Sequence, residues 1–212
     1  MSIHDFYDAV NPYFRRRRMQ KFAAALRPGP ETTLLDIGGR TQTWVVELPQ
    51  QQDFSVAMLN LRYSEKTPLA PRFKAIEASA LAIPFADKSF DIAFSNSVIE
   101  HVGSWEDQKQ FAREVSRVGH KLWIQTPARS FPIEPHYVAP YIQYLPKRLQ
   151  RRLVRWFTLR GWLERLPQAE IDEMVNEIRL LTYPEMKELF PDCTILRERT
   201  LGLTKSYVAV RL

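Results

Sequence analysis

The residues with chemical potential fall in three short clusters. Leu35-Asp36-Ile37-Gly38-Gly39 sets an acid and two glycines at the end of an apolar run. Glycines after a buried strand let the backbone come close to a ligand, and a helix that follows offers unpaired N–H groups. The same pattern also serves as a plain strand-to-helix turn. Ser95-Asn96-Ser97-Val98-Ile99-Glu100-His101 closes a second apolar run, and Pro132-Ile133-Glu134-Pro135-His136-Tyr137 follows a third. In the last cluster two prolines flank Glu134 and restrict the backbone, which presents Glu134, His136 and Tyr137 at low entropic cost. His136 is the candidate general base or acceptor-orienting group, with Glu134 and His101 beside it as catalytic candidates. The competing role for each histidine is a local hydrogen bond or cap, and Glu100-His101 also suits the start of a helix. A metal held by Glu100, His101, Glu134 and His136 is conceivable, but their spacing matches no specific ligand pattern, and no metal is assigned.

An alternation of strands and helices must position these clusters. Strands are predicted over 33–37, 54–61, 73–76, 90–95 and 121–126. Helices are predicted over 5–27, 41–48 (stopped by Pro49) and 105–118. The last of these starts at Ser104 with Asp107 three residues on, close to a capping box. This order argues for a parallel α/β sheet with right-handed crossovers. In such sheets ligands bind outside the carboxyl ends of strands, where the strand order reverses. Leu59-Asn60-Leu61 ends the second strand roughly 20 residues past the glycines, where a polar side chain usually holds a ribose.

After Pro127 the texture changes. Five prolines between 127 and 146 stand among aromatics and exclude long regular structure. Helices are predicted over 147–166, 168–180 and 184–190. The chain then closes with β-like runs at 194–199 and 207–211, joined by Leu201-Gly202-Leu203-Thr204 as an antiparallel hairpin at the sheet edge.

Composition narrows the class. The 212 residues suit a single domain, 1–212, with 1–31 a helical lead-in and 127–190 a helical insert. One cysteine, Cys193, rules out an intramolecular disulfide framework. Residues 1–10 lack the apolar core of a secretory signal, and no run approaches the ~18 apolar residues of a membrane span. The expected location is cytoplasmic, with a membrane-peripheral variant left open by the charge. The net charge is +6, and Arg15–Arg18 with 147–165 holds eleven Lys/Arg against the single acid Glu164, which leaves the rest of the chain slightly acidic. Four consecutive arginines sweep most of a helical turn, so one of Arg15–Arg18 must lie inward, snorkelling or meeting an anion. In 147–165, Arg148, Arg151, Arg152 and Arg155 oppose Leu149, Leu153, Trp156 and Phe157. That helix either lies on an anionic membrane surface or packs its apolar stripe on the sheet. No recognised nucleic-acid module is present, and nucleic acid is not an expected partner.

The order of motifs resembles the class I S-adenosylmethionine-dependent methyltransferases, in particular the small-molecule branch that includes ubiquinone-biosynthesis-type enzymes. The resemblance covers about 32–128 and is most specific over 84–102, Pro-Phe-Ala-Asp-Lys-Ser-Phe-Asp through Ser-Val-Ile-Glu-His-Val. It implies a Rossmann-like sheet of seven mostly parallel strands with an antiparallel last strand, and S-adenosylmethionine as cofactor. Its reaction is methyl transfer to a small-molecule or lipid-linked acceptor, with 127–190 as acceptor lid. Asp36 and Gly38 match the acid and first glycine of the cofactor motif, with Gly39 and Arg40 beside them. Asn60 and Leu61 fall at the ribose position, Ser79 and Ala80 at the adenine position, and Ser95 and Asn96 at the strand end facing the methionine part. Arg40 and Gln42 replace the motif's later glycines, and Asn60 and Ser79 stand where acids are usual. Two charge-assisted contacts of ~1.5–3 kcal/mol each are thereby weakened, unless Arg40 reaches the cofactor carboxylate. These departures keep a different class in play: a non-catalytic methyltransferase-like protein that binds an anionic partner or membrane through its basic helices. A nicotinamide-binding dehydrogenase is disfavoured, since Gly38-Gly39 does not make the G-x-G-x-x-G spacing and no acid ends the second strand.

Overall fold

The computed structural model describes residues 12–48, 54–62 and 70–212. Short apolar runs cut by glycine, proline or polar pairs form the strands β1 (Thr33–Ile37), β2 (Ser55–Asn60), β3 (Phe73–Glu77), β4 (Phe90–Asn96) and β5 (Gly119–Pro127). Two more, β6 (Thr194–Thr200) and β7 (Leu203–Arg211), close the chain. They form a single seven-stranded sheet in the order β3-β2-β1-β4-β5-β7-β6. The pairs β1–β2, β1–β4, β2–β3 and β4–β5 are parallel, and β7 runs antiparallel to both β5 and β6. The hairpin turn is shorter than predicted. Leu201 and Gly202 both have positive φ, at 51° and 79°, which suits the twist of a two-residue connection, so β7 starts at Leu203.

The strand order reverses between β1 and β4, so the crevice at their carboxyl ends is the place where a ligand is expected. Each strand alternates its side chains between two faces. Leu35, Ala93, Leu122 and Ile124 face α2 (Trp105–Val118) and its core partners Phe111 and Val115. Leu34, Phe94 and Trp123 face α1 (Pro12–Leu26), whose Phe22 sits edge-on to Trp44, Phe94 and Trp123 at 5.2–5.8 Å. Ser104 and Asp107 form the capping box of α2. The helical lead-in predicted from residue 5 is present from Pro12, and its earlier part lies outside the described residues.

The helix expected over 41–48 is present, but Thr43–Glu47 is wound as a π-helix. Three of its five residues, Thr43, Val45 and Val46, are β-branched and disfavour regular α winding. The predicted helix 147–166 is two helices, α3 (Lys147–Phe157) and α4 (Leu159–Glu164), broken at Thr158. The Thr158 hydroxyl donates to the Val154 carbonyl at 2.6 Å and accepts from the Gly161 N–H at 3.0 Å, closing one helix and opening the next. Helices α5 (Gln168–Glu177) and α6 (Tyr183–Leu189) follow. Thr182 and Glu185 give α6 a full capping box.

Residues 131–180 build a small core of their own from Tyr137, Ala139, Ile142, Val154, Ile171, Val175, Ile178 and Leu180. Of the apolar stripe of α3 only Leu153 packs against this core, beside the buried Val154. Only Val154 and Gln150 of α3 are buried. Leu149, Trp156 and Phe157 face outward with the arginines.

Candidate functional site

Two cavities open at the carboxyl ends of β1 and β4 and share Gly38 and His101 in their walls. The first, about 380 Å³, is lined by Asn60, Leu61, Ser79, Ala80, Leu81 and Val98 among others. The second, about 550 Å³, is lined by Asp36, Gly39, Arg40, Asn96, Ser97 and His136, with Arg15 and Arg160 at its edge. Nine of the ten residues predicted to hold the cofactor thus line one cavity or the other. The tenth, Ser95, is fully buried and donates its hydroxyl to the Ile37 carbonyl at 3.2 Å, tying β4 to β1 behind the site.

The glycines are required by contact as well as by conformation. Gly38 has φ +74°, and a Cβ there would stand 2.3 Å from the Val98 side chain. A Cβ on Gly39 would stand 2.1 Å from the Asp36 carboxylate. Both cavities keep their shape only with bare backbone at these positions. Asn60 donates from Nδ2 to the Gly39 carbonyl at 3.0 Å, so its amide braces the glycine loop while Oδ1 stays available to a ligand. The Ser79 hydroxyl accepts from the Leu81 N–H at 3.1 Å, a local turn contact.

Asp36 is buried and accepts the Trp44 indole N–H at 2.7 Å, a contact the coil 43–47 delivers. Burial pushes its carboxyl up to about 8, against the Trp44 hydrogen bond, with Glu47 adding to the rise. It is a neutral acid until a cation arrives. The inward member of the arginine run is Arg18. It forms an ion pair with Glu198 at 2.7 Å and donates to Asn96 Oδ1 at 2.6 Å and Gln125 Oε1 at 3.0 Å. It therefore fixes Asn96 from behind. Arg15 lies nearer the opening and pairs with Glu47 at 3.5 Å.

On the far wall, Glu134 is buried behind His136 and does not line the second cavity. One carboxylate oxygen bonds His136 Nδ1 at 2.6 Å and the other accepts the Tyr137 N–H at 2.7 Å. Glu134 is a positioning residue that sets the His136 ring and leaves Nε2 as its free nitrogen. Burial opposes the charged form of His136, but the hydrogen bond and charge of Glu134, with Glu100, prevail and raise its pKa. The His101 ring stands edge-on to that of His136 at 4.8 Å. Burial, then His136 and Arg160, lower His101 to about 4. Glu100 is fully buried, with Oε2 accepting the Thr126 hydroxyl at 2.9 Å. Trp44 and Thr126 went unpredicted as site residues, whereas Glu100 entered only as a conceivable metal ligand and Arg18 only as one of four arginines of which one must lie inward. Their only signal is a polar or aromatic type in an apolar run, and their partners lie between 8 and 180 residues away along the chain.

Against known proteins, residues 36–121 match the family described as Methyltransferase domain. It is a methyltransferase domain match. The matched stretch begins at Asp36 and includes every residue of the two cavities' glycine, ribose-side and β4 loops. No curated protein matches the chain. Among solved structures, a SAM-dependent methyltransferase from Methanosarcina mazei aligns with TM-score 0.51 and 15% identity, covering 86% of this chain and 92% of that one. The N-terminal domain of EvdMO1, solved in the presence of SAH and D-fucose, aligns with TM-score 0.54 and 16% identity over 92% and 81% of the two chains. The [4+2]-cyclase SpnF aligns with TM-score 0.54 and 13% identity over 85% of this chain, which spans only 57% of the cyclase. At these identities the likeness is one of fold. Residues 36–121 thus match a methyltransferase domain, set in a fold shared with SAM-dependent methyltransferases of known structure.

Proposed function

We propose that the chain catalyses transfer of a methyl group from S-adenosylmethionine to a small-molecule or lipid-linked acceptor, in the manner of the ubiquinone-biosynthesis-type branch. The observation that carries this reading is the pair of cavities joined at Gly38 and His101. One is walled by the ribose- and adenine-side loops, the other by the glycine loop and the His136 wall. The residues present fit the cofactor. A cradle that any Cβ would fill lies between two polar pockets, with a neutral buried acid and an exposed arginine at opposite charges' disposal. Asn60, Leu61, Ser79 and Ala80 would hold the nucleoside. Asp36, Gly38, Gly39, Arg40 and Asn96 would hold the amino-acid end, with Arg40 on its carboxylate and Asp36 facing its ammonium. When bound, the cofactor supplies a methyl group activated by a sulfonium.

The chain's own contribution is positioning and exclusion of water. His136, oriented by Glu134, meets the acceptor's polar atom from the wall opposite the glycines and takes its proton. His101, kept uncharged by burial, closes the seam between the cavities. Residues 127–190 form the lid of the single domain and set acceptor choice. His136→Ala should retain cofactor binding by calorimetry and lose turnover by about 10²–10⁴-fold, the range of general acid–base catalysis. Unchanged turnover would remove His136 from the mechanism.

The lid also carries the support for a lipid-linked acceptor. Trp156, Phe157 and Trp162 are 65%, 72% and 72% exposed, and Arg155 and Arg165 line the same surface hollow as the two tryptophans. Large aromatics ringed by arginine suit the headgroup layer of an anionic membrane. No helix among the described residues is long and apolar enough to cross a membrane. On this reading the enzyme touches a membrane face through this tip.

A further inference from the structure

We propose that Glu100, His101 and His136 together form a binding site for one divalent first-row transition-metal ion, such as zinc. The three side chains come from the end of β4 and from the insert loop, and one ligating atom of each lies within 4.8 Å of the others. The 35-residue gap between the Glu100-His101 pair and His136 is why spacing alone does not reveal the group.

What distinguishes this cluster from chance proximity is how its remaining atoms are used. Glu100 Oε2 accepts from Thr126, while Oε1 is buried and has no hydrogen-bond partner among the described residues. His136 Nδ1 is committed to Glu134, leaving Nε2 free. His101 Nδ1 lies 3.6 Å from Glu177. Glu100 and His136 are thus each held at one atom and keep one for the centre, where His101 brings a second imidazole within reach. A buried acceptor left without a donor costs roughly 1–3 kcal/mol, and a cation is the species that satisfies several acceptors at once. Bonds of about 2.1 Å put donors on one ion at most roughly 4.2 Å apart, so the widest pair needs to close by only roughly 0.6 Å.

The ligand set of two imidazoles and one carboxylate is typical of catalytic zinc and non-haem iron sites, which keep open positions. Glu134 behind His136 is the carboxylate–histidine–metal arrangement that orients such ligands. The local charge agrees, because Glu100 and Glu134 are both buried here, and Arg160, a cation on the same wall, is paired with Glu164 at 2.8 Å. Both histidines line the second cavity, so the open positions face the space assigned above to the acceptor. On that reading, and resting on it, the preferred acceptor carries an oxygen that can ligate the ion, and His136 then holds the ion rather than the acceptor.

The test is calorimetric titration of zinc into untagged, chelator-stripped full-length protein, with cobalt as a second probe read by its visible absorption. The expected result is one zinc per chain, lost in Glu100→Gln and His136→Ala and weakened about tenfold or more in Glu134→Gln. His120→Ala, on β5 away from the cluster, should bind as the parent does. Should a ligand variant misfold by circular dichroism, the cobalt spectrum of the parent decides: nitrogen-and-oxygen ligation with bound cobalt supports the site. Absence of saturable zinc binding, or equal binding in all variants, would overturn it. Titration with S-adenosylhomocysteine runs separately, so loss of the methyltransferase reading and loss of the metal site give different results.

Discussion

Asp36 carries the sharpest consequence at the scale of single residues. Its carboxyl is raised from 3.8 to about 8 in the folded chain, chiefly by burial. Between those values the native state binds a proton that the unfolded state has released. Stability from this residue therefore falls as pH rises through that window. Asp36→Asn keeps an acceptor for the Trp44 N–H and removes the titration, so its melting temperature should fall less than the parent's between pH 5 and pH 8. Parallel melting curves would contradict the assignment. On the proposed reading, cofactor binding should release a proton near neutral pH, because an ammonium beside Asp36 would favour its charged form. Calorimetry in buffers of different ionisation enthalpy reads that release directly. The acid and glycines of this loop were legible because strand, turn and motif coincide in five residues. The Trp44 contact was not, since it depends on a coil whose winding departs from the α period.

At the scale of elements, the alternation of strand and helix through residue 127 was readable because each strand is a short apolar run cut by glycine, proline or a polar pair. The terminal hairpin was readable too, though Gly202 hid how tight its turn is. The insert was the harder segment. A continuous basic stretch at 147–166 reads as one helix, yet Thr158 ends it by capping both neighbours with one hydroxyl. Thr158→Ala should cost about 1–2 kcal/mol in chemical denaturation, the value of a lost cap plus an orphaned N–H. A loss below a few tenths would place the break in the backbone alone. On the sheet's other face, Phe22 packs edge-on against Trp44, Phe94 and Trp123. Phe22→Ala should cost about 3–5 kcal/mol, because the three rings around it cannot collapse into the space it leaves.

For the whole molecule, the charge surplus divides into two uses. Arg18 is turned inward and spent on Glu198 and Asn96, so part of the N-terminal arginine run braces the site rather than serving a partner. Arg148 and Arg152 of α3 stay exposed, and Arg155 and Arg165 line the hollow that holds Trp156 and Trp162. Co-sedimentation with anionic vesicles should be salt-sensitive and should drop sharply in a Trp156→Ser/Trp162→Ser double variant. Equal pelleting of the variant, or none by the parent, would end the membrane reading. The acceptor itself is not legible in 127–190, because the insert's prolines and aromatics specify its own small core more than the shape of what it covers. The central claim, that the crevice at the ends of β1 and β4 holds S-adenosylmethionine, has a direct test. Titration calorimetry of the full chain with S-adenosylhomocysteine should show saturable one-to-one binding, weakened strongly by Arg40→Glu with the fold intact. No heat at millimolar ligand, or equal binding by the Arg40 variant, would contradict the account.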